Sequence, residues 1–365
     1  MPSDKVPLNE TTKILKNHNA LDFHKTLSEY KPTPLIELPN LSKKLGVKNI
    51  YVKDESKRFK LNAFKGLGAS YAISQSLIKN PEIKTFCTAT DGNHGRAVAW
   101  AAKINGRKAI IYVPKETTLK RIQAIEKYGA KVIQINGHYD QACEEAKKIS
   151  FSKKWCLIQD KAWEEYTEIP ALILSGYLTL FKEMEDSIHD PLKPKIDLVF
   201  LQAGVGSMAA AGIYYYLNRY GKNKPKIVII QPEEADGILC SFKENKISSS
   251  KGSLKTIMAG LNCETPSLGA WDLLKNGTNY VLRISDDYAK QAMRELYYPQ
   301  ASDNRIISGE SGAAGLGGLI AILKENKIKS IKEDLRINNF TNILFINSEG
   351  DTDEEVFLEI INSNI

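Results

Sequence analysis

Short runs of aliphatic and β-branched residues alternate along this chain with segments whose apolar positions recur every three or four residues. KAIIYVP at 108–114 reads as a buried strand, and TLKRIQAIEKYGA at 118–130 carries helical spacing up to Gly129. KVIQIN is the next strand, YDQACEEAKKIS the next helix and WCLIQD a third strand, leading into a helix from about Pro170. A second series starts with the strand IDLVFLQAG at 196–204, followed by a helix from Ser207, a strand at KIVIIQP and a late strand at 342–347. Such alternation predicts an α/β protein with mainly parallel sheets covered by helices on both faces, two three-layer units in all. The smaller unit, residues 75–184, is expected between the two sequence halves, 1–74 and 185–365, of the larger. Two polar stretches, Glu244–Lys255 and KENKIKSIKEDLRI at 324–337, read as exposed loops.

Composition narrows the class. Of 365 residues, 42% are apolar and 25% charged, ordinary values for a folded enzyme. The longest apolar stretch, Leu198 to Ile213, is broken by Gln202, Ser207 and glycines and falls short of the roughly 20 residues that span a bilayer. MPSDKVPLNETTK carries no apolar core of a secretory signal. Five cysteines without a CxxC pair fit reduced thiols and a cytoplasmic location better than a disulfide framework. Dispersed cysteines and histidines also argue against a metal site. The net charge of +7 invites a nucleic-acid reading, but the lysines are spread among acidic residues without interleaved aromatics, so a solvated surface is expected.

Four segments carry chemistry. In ESKRFKLNAFKGLGASYA, Asn62 is a suitable N-cap, which would put Lys65 at a helix N-terminus. The positive helix end and burial both disfavour an ammonium and favour the free amine that forms a Schiff base with an aldehyde. The alternative is one more surface lysine. Gly204-Val205-Gly206-Ser207-Met208, between a strand and a helix, offers backbone amides to a phosphate. Read as a dinucleotide fingerprint it would make a dehydrogenase, but the acidic residue it needs comes too late, at Glu233. Thr90-Asp91-Gly92-Asn93-His94-Gly95 opens a small-residue helix; Asp91 and Asn93 are its candidates, and His94 reads as a packing or capping residue. Asp160 follows a strand, where ligands of parallel sheets gather, as an acid or base or merely as a helix cap. Two late turns, at 308–315 and 347–352, bear serines; the second could set the Ser348 hydroxyl on a ligand.

In this order the segments resemble the fold type II pyridoxal-phosphate enzymes, whose cofactor sits in a cleft between the two units, and among them the diaminopropionate ammonia-lyases. RFKLNAFKGLGASYA, TDGNHGRAVAWAA, IQDKAWEEYTEIP, LQAGVGSMAA, IMAGL, RIISGESGAAGLG and NSEGDTD carry the resemblance, from about residue 30 to 356. Aspartate at 91, where dehydratases of this fold usually have serine, is the discriminating residue. Lys60 departs from the pattern, which usually has glycine there.

The resemblance implies that Lys65 holds pyridoxal 5'-phosphate as an aldimine and that the amides of Gly204, Val205, Gly206, Ser207 and Met208 bind its phosphate. Asn93 would meet the phenolic oxygen and Ser348 the pyridine nitrogen, where a neutral hydroxyl suits elimination. It further implies α,β-elimination of 2,3-diaminopropionate, D or L, through an aminoacrylate to pyruvate and two ammonia. Lys65 and Asp91 would be bases on opposite faces, and Asp160 or the lysine ammonium would protonate the leaving amine. A serine or threonine dehydratase is the alternative. A homodimer acting on a small amino acid, with neither nucleic acid nor membrane as partner, completes the expectation.

Overall fold

The computed structural model describes residues 5–90, 92–188 and 196–363. Among the described residues ten strands run in chain order: β1 Leu35–Glu37, β2 Asn49–Asp54, β3 Thr85–Ala89, β4 Lys108–Pro114, β5 Lys131–Ile135, β6 Cys156–Leu157, β7 Leu198–Gln202, β8 Lys226–Pro232, β9 Tyr280–Ile284 and β10 Asn342–Asn347. They form a six-stranded sheet in the order β1-β2-β10-β7-β8-β9 and a four-stranded sheet in the order β5-β4-β3-β6. β1 pairs antiparallel with β2, and the other neighbouring strands pair parallel. The chain's last strand is inserted between β2 and β7, with Ile343 opposite both Ile50 and Leu198.

Continuous apolar runs form these strands because both faces are covered. In β7, Val199 and Leu201 enter one core while Leu198 and Phe200 enter another on the opposite face, and all five residues of the strand are buried. In the smaller sheet Phe86 and Cys87 divide in the same way.

Two helices link the sheets. Lys65–Lys79 and Glu168–Ile188 cross at backbone contact: a Cβ on Gly176 would lie 2.4 Å from the Leu67 carbonyl oxygen. Glycine is needed there for close approach. Among the described residues no helix is long and apolar enough to cross a membrane.

The structure differs from the sequence reading in three places. WCLIQD contributes only Cys156–Leu157 to a strand; the rest turns away to carry Asp160 into the site. The charged stretch 324–337 is not a loop: it holds a 3-10 turn, Asn326–Ile328, and a helix, Lys329–Leu335. Its charges face solvent while Ile328, Ile331 and Leu335 pack on the core, a helical spacing hidden by the lysines between them. Asn62 does not cap a helix. The helix begins at Lys65 behind Phe64, and Asn62 has φ +56°. Glu244–Lys255 does leave its helix as an exposed or half-buried loop, tied down by Glu234, which accepts from the Ser253 amide at 2.7 Å.

Candidate active site

Parallel strands direct their carboxyl ends, and the loops that follow them, to one edge of the sheet. Thr90 follows β3, Asp160 follows β6, Gly204 follows β7 and Ser348 follows β10. These loops and the start of the Lys65 helix enclose a cavity of about 890 Å³, part of it continuous with solvent. It is lined by Lys65, Asn93, Asp160, the whole Gly204–Met208 turn and Ser348. Asp91 lies outside the described residues; its neighbours Thr90 and Gly92 both line the cavity.

The segment before Lys65 is held from below by buried charges. Arg58 donates to Glu55 at 2.8 Å and to Glu183 at 2.7 Å, and Lys53 also donates to Glu183 at 2.7 Å. Two cations against two carboxylates leave no net charge in this fully enclosed cluster, and it anchors the segment to the Glu168–Ile188 helix. Beyond it Phe59, Lys60 and Asn62 all have positive φ. Lys60 at φ +55° explains the glycine of the family pattern: the left-handed region penalises any side chain with a Cβ. From there the chain is stitched to the Ser348 turn. The Phe64 amide donates to the Ser348 carbonyl at 3.1 Å, the Gly350 amide to the Asn62 carbonyl at 3.0 Å and Asn62 Nδ2 to Asp351 at 2.9 Å.

Lys65 Nζ donates to Asp160 Oδ2 at 2.5 Å, and the two side chains are 17% and 5% exposed. Burial alone pushes the lysine pKa down, but the aspartate charge overrides it and holds the amine above its ordinary value. Burial likewise pushes Asp160 up, and the Lys65 ammonium holds it well below the usual carboxylate range. The resting site is therefore an ammonium–carboxylate pair. The free amine expected from helix end and burial is overturned by a partner 95 positions away in sequence. Asp160 is no helix cap either. Tyr139 donates its hydroxyl to Oδ1 at 3.2 Å, and Ser207 donates to the Asp160 carbonyl at 2.8 Å. His94 is buried and also lines the cavity: Nε2 meets the Ile158 carbonyl at 2.7 Å, and burial lowers its pKa.

The Gly204–Met208 turn opens the Ser207–Tyr220 helix, with Gly206 at φ +92°. Among the described residues, no backbone or side-chain acceptor takes the N–H groups of these five residues. A Cβ on Gly204 would lie 2.9 Å from Cys263 Sγ and 3.2 Å from the Gly260 carbonyl, so the concavity exists only because no side chain fills it. Ser348 Oγ accepts from Gln202 Nε2 at 3.0 Å, which leaves its own hydrogen to give. Open amides at a helix N-terminus, a hydroxyl and an amine around one cavity fit an aldehyde that carries a phosphate and a ring nitrogen.

Glu349, Tyr139 and Glu310 escaped the sequence reading. Glu349 accepts from Asn93 Nδ2 and, at 3.0 Å, from the Ser311 amide. Glu310 is 3% exposed, and burial together with the Glu349 charge pushes its pKa up to about 7. Glu310 and Glu349 stand beside serines inside segments that carry the resemblance, which was the available signal. Tyr139 sits in an unremarkable amphipathic helix and offered none.

A family described as pyridoxal-phosphate dependent enzyme matches residues 26–347. The diaminopropionate ammonia-lyase of Escherichia coli strain K12 is 40% identical over 359 residues, 94% of this chain and 90% of the relative. A crystal structure of the Escherichia coli ammonia-lyase, in complex with an aminoacrylate–pyridoxal phosphate azomethine intermediate, superposes with a TM-score of 0.90. It is 39% identical and covers 97% of this chain and 92% of that one. The biosynthetic threonine dehydratase of Haemophilus influenzae is only 29% identical, over 81% of this chain and 54% of its own.

Proposed function

The chain belongs to the pyridoxal-phosphate dependent enzymes, and from that premise we infer how its residues divide the work. Its cofactor is pyridoxal 5'-phosphate, and its reaction is the α,β-elimination of 2,3-diaminopropionate to pyruvate and two ammonia, a carbon–nitrogen lyase reaction. The observation that carries the assignment is Lys65, paired with Asp160 in a cavity that faces the open amides of Gly204–Met208, in a chain 40% identical to an ammonia-lyase over nearly its full length. When bound, the cofactor supplies an aldehyde that condenses with amines and a ring that stores the electron pair released at Cα.

The residues of the chain supply the rest. Lys65 would contribute the condensing amine, and Asp160, at 2.5 Å, stands where it can relay the proton that Nζ must first lose. As a neutral amine Lys65 would act as a base on one face of Cα. Asp91, flanked in sequence by two cavity-lining residues, acts on the other, so that both enantiomers react. The β-amine leaves only as an ammonium-like group, and Asp160, relieved of its pairing, returns the proton. Gly204, Val205, Gly206, Ser207 and Met208 bind the phosphate through N–H groups, which carry no charge that would need repositioning during the reaction. Asn93 would meet the phenolic oxygen. Ser348, neutral and already accepting from Gln202, would give its hydrogen to the ring nitrogen.

The division of the chain into 1–74 plus 185–365 and 75–184 agrees with the two sheets, whose strands fall on either side of those limits. Five cysteines free of disulfides are compatible with a cytoplasmic enzyme. A homodimer is expected and is read by light scattering of the purified protein. The decisive experiment for the site is turnover of D- and L-diaminopropionate, followed as pyruvate, by the wild type, Lys65→Ala and Asp91→Asn. Lys65→Ala abolishes both activities and the cofactor's visible band, whereas Asp91→Asn lowers one enantiomer selectively. Unchanged turnover of both enantiomers by Asp91→Asn refutes the two-base division.

A further inference from the structure

Glu349 is 5% exposed, and nothing in the chemistry above uses it. Its two oxygens are shared out: Oε1 accepts from the Ser311 amide at 3.0 Å, and Oε2 accepts from Asn93 Nδ2. The other end of the Asn93 amide is also engaged, because Arg96 Nη2 donates to Oδ1 at 3.0 Å. A primary amide turned end for end would set its oxygen against the carboxylate and its NH2 against the guanidinium. Both contacts would become repulsive, so one orientation alone satisfies the two charged neighbours. In that orientation one Nδ2 hydrogen is used by Glu349, and the second remains for an acceptor in the cavity that Asn93 lines. Glu349 is itself well anchored. Its carbonyl accepts from the Gly309 amide at 3.0 Å, and Ser311, which holds its Oε1, takes the Gly260 amide on its hydroxyl at 3.0 Å.

We propose that Glu349 is a positioning residue: acting through Asn93, with Arg96 at the opposite end of the amide, it presents an N–H and not an oxygen to the phenolic oxygen of bound pyridoxal phosphate. This rests on the reading that Asn93 meets that oxygen. The reversed amide would put oxygen against oxygen there, so the carboxylate converts a group with two possible faces into a donor.

Glu349→Gln tests the idea sharply, since it keeps the size of the side chain. One acceptor oxygen must then serve two donors, and either Ser311 loses its partner or Asn93 is driven to turn round. Arg96→Met releases the amide from the other end. The full-length protein is stripped of cofactor and titrated with pyridoxal phosphate, and the dissociation constant and the position of the visible band are recorded from pH 6 to 9. Asn93→Ala serves as reference, and thermal unfolding of the stripped proteins checks folding. Glu349→Gln and Arg96→Met are each expected to weaken cofactor binding about tenfold, the scale of one well-made hydrogen bond to a charged partner, and to displace the band in the direction seen for Asn93→Ala. If Asn93→Ala changes both readouts while Glu349→Gln retains wild-type values, the proposal is overturned. Should Glu349→Gln fail to fold, unchanged values in Arg96→Met overturn it as well. If Asn93→Ala itself binds and absorbs like the wild type, the underlying assignment of Asn93 fails, a result distinct from the other two.

Discussion

Replacing Asp160 by asparagine removes one charge from a buried pair and leaves the other in place. In cofactor-free protein Lys65 is only 17% exposed and stands 2.5 Å from Asp160, so the variant strands an ammonium among Phe64, Tyr177 and the cavity wall. Removing one partner of a buried pair destabilises by about 3–5 kcal/mol, a limit set here by the lysine's freedom to shed its proton. Burial, no longer opposed by Asp160, then pulls the Lys65 pKa below its ordinary 10.5. A base whose folded pKa lies below its unfolded value binds fewer protons in the folded state, so the variant gains stability as pH rises through that window. The gap to wild type is therefore widest near pH 7 and narrows toward pH 10 by up to about 1.4 kcal/mol per pH unit. The wild type behaves oppositely at the acid end. Asp160, held low by Lys65, contributes stability present above the ordinary aspartate range and lost as pH falls through its depressed value. Urea unfolding of both proteins at several pH values from 6 to 10 measures the gap. A gap below about 1 kcal/mol at pH 7, or one that does not change with pH, refutes the buried ion pair as the resting state of the site.

Three further outcomes are expected. Lys60→Gly relieves a left-handed lysine whose exposed pair with Glu29 is worth little, and raises stability by about 0.5–1 kcal/mol in urea unfolding. Gly176→Ala puts a Cβ 2.4 Å from the Leu67 carbonyl; with backbone on both sides it destabilises by about 2–3 kcal/mol and, by displacing the Lys65 helix, lowers cofactor affinity in equilibrium dialysis. Glu310, raised to about 7, contributes stability that is full below pH 4.5 and lost as pH rises through 7; Glu310→Gln abolishes that decline, which amounts to about 3 kcal/mol in a pH series of unfolding midpoints.

Much of the scaffold and of the residues around the cavity is legible in the sequence, because the features concerned are local. Strands buried on both faces need continuous apolar runs, so β4, β5, β7, β8 and β10 stand out in the sequence. A glycine-rich turn between a strand and a helix can be read as an anion cradle wherever it occurs. The short β6 was overextended because WCLI is apolar enough for a strand although its neighbours give it only two pairing positions. The helix at 329–335 was missed because its apolar residues are few and its lysines many.

The order of segments, the parallel-sheet architecture and the presence of Lys65 and the glycine-rich turn are thus properties of the sequence itself. The folded chain alone decided the charge state of Lys65, the orientation of the Asn93 amide and the left-handed backbone of Phe59, Lys60 and Asn62. Asp160 and Glu349 are 95 and 256 positions from the side chains they accept from. Helix dipoles and propensities act within a turn or two and can be summed along a chain. The strength of an ion pair or a buried hydrogen bond depends on separation and on the water removed around it, and both come into existence only when distant segments meet.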